Sequence, residues 1–200
     1  MDEIILAISV SFMAFLSTSI DNLFLLVTLS LHPKYGAAKV RAGYMIAVIL
    51  MLVIAHILAQ SARLIPTEYI HYIGLVPLAI GAYELYQLVA RKTSPADEIK
   101  TDLIRGSGSI WAIVIIMLTH SWDSIGVLAP LFVDTRSALI PWMYISVVVT
   151  AAFIIFAGQS AVSFSKLRNI LVKIAPKILP FLLMGVGIYI LTNTPTDVTL

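Results

Sequence analysis

LSTSIDNLFLL, residues 16–26, sets Asp21, Ser17, Thr18 and Asn22 inside a run that is otherwise as apolar as lipid. A charged side chain at the centre of a bilayer-spanning helix costs roughly 2.5–3.5 kcal/mol. Such a residue is not expected to face lipid idly. A second stretch, LTHSWDSIGVL at 118–128, repeats the arrangement around Asp123. In each, the residues three and four positions before the acid are polar: Thr18 and Ser17 before Asp21, His120 and Thr119 before Asp123. On a helix those offsets share one face with the carboxylate. Asn22 follows the first acid and Ser124 follows the second.

The surrounding composition fixes the solvent. Of 200 residues, 60% are hydrophobic and only 12% are charged, where a soluble domain carries about 25%. The mean hydropathy is +0.97. Several apolar runs reach the roughly 20 residues needed to cross a bilayer as a helix. A net charge of +2 with no basic arm gives no reason to expect a nucleic-acid partner. With no cysteine, there is no thiolate metal ligand, disulfide or thiol nucleophile. The N-terminal MDEIILAISV lacks a basic leader segment, so the first run is expected to be a retained helix.

Six spans are expected, at about 4–31, 43–60, 70–90, 109–133, 140–160 and 176–192. Under this scheme one side of the membrane holds Lys34, Lys39, Arg41, Arg91, Lys92, Lys100, Arg105, Lys166, Arg168, Lys173 and Lys177. The other side holds only Arg63 and Arg136. Cytoplasmic loops are the basic ones, so both termini are expected outside the cytoplasm. The polar stretch from Arg91 to Ser109, with Pro95, Gly106 and Gly108, divides the chain. The first three-helix repeat is read as 1–95, a cytoplasmic linker as 96–108, and the second repeat as 109–200.

The halves resemble each other. Asp21 precedes Pro77 by 56 residues, and Asp123 precedes Pro180 by 57. GLVPLAIG (74–81) has its counterpart in LPFLLMGVG (179–187). Three spans per half is an odd number, so the halves would run in opposite senses. The expected fold is therefore an all-α integral membrane protein of two inverted three-helix repeats, a plan common in secondary transporters.

No basic residue lies near the middle of any span, so Asp21 and Asp123 call for a metal ion, protons or both. Two negative charges match a divalent cation. The candidate ligands are Asp21, Asp123, Ser17, Thr18, Asn22, Thr119, His120 and Ser124, with His120 suited to Zn, Mn, Fe or Cd. Glu84, toward the cytoplasmic end of the third span, is explained by reaching the interface and is also a candidate gate or proton acceptor. Met117 and His56 are read as a packing residue and a helix–helix hydrogen-bonding residue. Trp111 and Trp142 are read as interfacial anchors, and Trp122 as packing or as a wall of the site.

STSIDN (17–22), WDSIGVLAPLF (122–132), PFLLMGVGIYIL (180–191) and the Gly74–Pro77–Gly81 pattern together resemble the cadmium-resistance transporter (CadD) family of the LysE superfamily. The resemblance implies a prokaryotic inner-membrane exporter of divalent metal cations driven by proton exchange, with the family's acidic motifs on Asp21 and Asp123. No cofactor is expected, since the metal would be cargo. The expected partners are that metal ion and the lipid bilayer, and a homodimer is a compatible assembly. Two other readings stand beside it: export of a small organic cation or amino acid, as in LysE-like branches, and an intramembrane aspartyl protease. Neither acid has the G-x-G-D setting of such proteases.

Overall fold

The computed structural model describes residues 2–32, 35–62, 64, 67–90, 109–163, 165–192, 194, 196 and 197. The expected 96–108 linker lies outside them. The described residues form helices, with one isolated bridge between Thr135 and Asp197. The helices are α1 (Asp2–Thr18), α2 (Ile20–Leu31), α3 (Ala37–Ala62), α4 (Leu75–Ala90), α5 (Ile110–Thr119), α6 (Trp122–Asp134), α7 (Ile140–Ser163) and α8 (Ser165–Leu191). A 3-10 helix, Thr67–Gly74, leads into α4.

The first and fourth expected spans are each broken rather than continuous. α1 and α2 meet at a 54° bend, and α5 and α6 at a 66° bend. Neither break contains Pro or Gly, and hydroxyl chemistry accounts for both. Ser17 and Thr18 bond back to the carbonyls of Ala14 and Phe15, and Thr119 bonds back to Ile116. Such bonds offer the backbone an alternative to the helical ladder and bend it. Each new half-helix then starts on a serine. Ser19 has φ −102° and ψ 7°, Ser121 has φ −105° and ψ 16°, and their carbonyls accept from the amides of Leu23 and Ile125.

Among the described residues, three helices are long and apolar enough to cross a membrane, or five when each bent pair counts as one span. Pro180–Leu191 of α8 is a shorter apolar stretch. The chain is thus an all-helical, multi-pass membrane protein. The second helix of each half is seated on the broken helix of the other: α3 on α5 and α6, and α7 on α1 and α2.

The third helices, α4 and α8, pack on each other. Within a bilayer, helices associate through close packing at small residues rather than by escaping water. A β-carbon on Gly187 would lie 2.7 Å from the Leu78 backbone nitrogen. One on Gly74 would lie 2.8 Å from the Gly187 carbonyl, and one on Gly81 would lie 2.9 Å from that of Pro180. The backbones of α4 and α8 therefore approach closely at these glycines, whereas Gly185 faces open space.

The two ends of the chain meet at one end of the bundle. Arg136, just past α6, pairs with Glu3 at 3.3 Å and donates from its backbone and Nε to the carbonyls of Thr196 and Asp197.

Candidate cation site

The two breaks lie against each other in the middle of the bundle. Asp21 is the second residue of α2 and Asp123 the second residue of α6, each in a first turn whose amides lack helical partners. The positive end of a half-helix favours a negative charge there. The carbonyl-rich C-terminal ends of α1 and α5 reach the same breaks, so carboxylates and carbonyl oxygens converge on one region.

Two hydrogen bonds tie the breaks together reciprocally. Asn22, the residue after the first acid, donates through Nδ2 to Ser121 Oγ at 3.1 Å. Ser124, the residue after the second acid, donates to Thr18 Oγ1 at 2.8 Å. Asn22, Thr18, Ser121 and Ser124 are all buried.

The charged groups gather around this knot. Asp21 and Glu84 both act electrostatically on Asp123, Asp21 acts on Glu84, and His120 acts on Asp21. Glu84 thus lies within electrostatic reach of both acids. Asp21 is exposed at the break, while Asp123 is half-buried with its Oδ1 enclosed and without a hydrogen bond.

His120 caps α5. Its Nδ1 lies 2.9 Å from the Ile116 carbonyl, and a carbonyl can only accept. The ring proton is thereby placed on Nδ1, leaving the Nε2 lone pair free. This is the orientation in which a histidine ligates a metal through one nitrogen while a backbone carbonyl holds the other.

The remaining candidates divide. Ser17 is buried and donates to its own helix, keeping only lone pairs, and Thr119 is exposed and bonded to Ile116. Among the described residues no three of His, Cys, Asp and Glu are close enough together to hold one metal ion. Met117 is fully buried in the core, as a packing residue would be. His56 bonds Tyr144 of α7 at 2.5 Å, which is the helix–helix role expected of it. Trp122 stands 68% exposed on the bundle surface, so it is not the packing residue its depth suggested.

Three residues at the breaks went unremarked in the sequence: Ser19, Ser121 and, beside them on α3, Tyr44. The signal for the serines was present, since both acids are preceded two positions earlier by serine. Tyr44 carried no signal, because an aromatic in an apolar helix reads as core.

Broken helices that meet at mid-bundle with a carboxylate at each restart are an arrangement of membrane transporters. The chain belongs to the cadmium resistance transporter family, whose model matches residues 15–200 and so takes in both breaks. No curated protein and no solved structure matches it.

Proposed function

We propose that this protein exports a divalent metal cation of the Cd, Zn or Mn type across the cytoplasmic membrane of a prokaryote, in exchange for protons. The observation that carries the reading is the meeting of two broken helices, each restarting with an acid, cross-bonded through Thr18–Ser124 and Asn22–Ser121. Asp21 and His120 receive the metal on the open side of the knot, and Asp123 draws it inward. Protons arriving from outside compete for the carboxylates and displace the metal, which leaves the cell. Glu84, coupled electrostatically to both acids, takes part in that exchange as proton acceptor.

The topology proposed is six spans in two inverted repeats, with both termini outside. Two observations support it. The exchanged packing of α3 and α7 on the opposite broken helix is what a pseudo-twofold axis produces. Contact of Arg136 with both Glu3 and Asp197 brings the chain ends together, as an even number of crossings requires.

Expression in a metal-sensitive bacterial host tests the reading. The wild-type chain is expected to raise tolerance to at least one of Cd, Zn and Mn. Asp21→Asn and Asp123→Asn are expected to reach the membrane in equal amount and give no tolerance. Tolerance retained by both variants would end the central-site reading.

A further inference from the structure

The two breaks match in sequence and backbone, yet their serines are used differently. Ser121 Oγ donates to the Met117 carbonyl at 2.7 Å and accepts from Asn22 at 3.1 Å. Ser19, its counterpart, is fully buried, and its Oγ makes no hydrogen bond. It does not cap α2 either, whereas Ser109 caps α5 in the ordinary way by accepting from the Ala112 amide at 3.1 Å. Of the two carbonyls within back-bonding reach of Ser19, Phe15 accepts from the Thr18 hydroxyl and Leu16 from the Ser19 amide itself.

Ser19 is not alone in this. The Tyr44 hydroxyl, 1% exposed on α3, faces Ser19, but neither oxygen makes a hydrogen bond of acceptable geometry. Asn22 is 1% exposed, and its Oδ1 is also unpartnered. The orientation of that amide is fixed by chemistry: the single proton of Ser121 goes to Met117, so Asn22 must offer its NH2 to Ser121 and keep its oxygen free. Asp123 Oδ1 is a fourth enclosed oxygen without a partner. The Thr18–Ser124 bond joins the chain neighbours of Ser19 and Asp123, and the Asn22–Ser121 bond joins the same two breaks, so all four oxygens lie at or beside the paired breaks. Buried polar atoms without partners are rare, and four of them at one pair of helix breaks, a carboxylate oxygen among them, call for a ligand.

From these oxygens we infer that Ser19 and Tyr44, with Asn22 and Asp123, form an occluded, all-oxygen position for the transported divalent cation, distinct from the open Asp21–His120 position. The inference rests on the metal-export reading and adds two ligands and a second station to it. One carboxylate with hydroxyl and amide oxygens is a hard donor set, and no nitrogen or sulfur joins it. A metal that passes inward thus exchanges an imidazole for oxygens, so soft affinity at the open position does not trap it.

The test is calorimetric titration of the purified full chain in detergent with Cd2+ alone and Mn2+ alone. Tyr44→Phe removes one oxygen and keeps the ring, and Ser19→Ala removes an oxygen that caps nothing. Each is expected to weaken binding of both ions roughly tenfold with the melting temperature unchanged. Tyr44→Phe keeps the proposal testable even if Ser19→Ala fails to fold. Tyr35 is the matched control, since its buried hydroxyl is also unpartnered but lies in the turn between α2 and α3. Tyr35→Phe is expected to bind as wild type does. If Asp123→Asn loses binding while Ser19→Ala and Tyr44→Phe bind like wild type, the occluded position is wrong and the export reading survives. If the wild-type chain binds neither ion, both fall.

Discussion

Ser124 Oγ donates to Thr18 Oγ1 at 2.8 Å, joining residues 106 positions apart in the chain. Thr18 ends the first half-helix of its pair, and Ser124 follows the acid at the start of the other. Through this contact the polar lining of one broken helix holds the carboxylate of the other in place. Because Thr18 spends its own proton on the Ala14 and Phe15 carbonyls, the bond has a fixed direction.

That direction makes the pair suitable for a double-mutant cycle. Ser124→Ala, Thr18→Val and the double variant, unfolded reversibly in mixed micelles, should give a coupling of roughly 0.5–1.5 kcal/mol. A hydrogen bond inside a membrane protein is worth little more than one in water. Additive single effects would mean that the two hydroxyls do not hold the breaks together.

The glycines of the α4–α8 crossing are not interchangeable. Gly187→Ala drives a methyl into the Leu78 backbone, which cannot yield as a side chain would. We expect about 1–3 kcal/mol of destabilisation, the cost of overpacking. Gly185→Ala, two positions away, has nothing within 4 Å and should be neutral. Thermal denaturation of both variants in the same detergent reads the contrast.

His120 distinguishes the two half-sites, since its counterpart beside Asp21 is Thr18. Replacing it with Phe keeps the ring volume and removes the Nε2 lone pair. Preference for Zn2+ and Cd2+ over Mn2+ and Ca2+ should fall about tenfold in competition binding, because imidazole favours the former pair. An unchanged preference would remove His120 from the ligand set.

Glu84 makes a kinetic prediction. Glu84→Gln keeps the side chain's shape and deletes the charge that acts on Asp123. Metal–metal exchange, which needs no net proton movement, should persist, while proton-driven transport should drop at least about tenfold. Equal loss of both modes would make Glu84 a structural or metal-binding residue instead.

Much of this arrangement was legible in the sequence, for identifiable reasons. Asp21 and Asp123 stood out because charge in an apolar run is costly, and their matching offsets pointed to one site rather than two. The GLVPLAIG and LPFLLMGVG segments were legible as counterparts, and in the structure their glycines pack against each other. The breaks were not legible. Hydropathy is blind to a serine that ends one helix and begins another, and no Pro or Gly marks Ser19 or Ser121. Glu84 was read both as reaching the interface and as a candidate gate or proton acceptor, because depth along a helix was readable while the helices beside it were not. Tyr44 was hidden because only the fold places its hydroxyl beside Ser19.

The central claim is that metal and protons compete for Asp21 and Asp123. Its most direct test is the purified chain in proteoliposomes, challenged with Mn2+, Zn2+, Cd2+, Co2+ and Ca2+ under an imposed pH gradient. The account predicts pH-driven movement of at least one transition-metal ion, collapse of that movement when the gradient is dissipated, and no movement with Asp21→Asn or Asp123→Asn. Failure of every ion to move in either direction, or wild-type rates from both Asn variants, would contradict it.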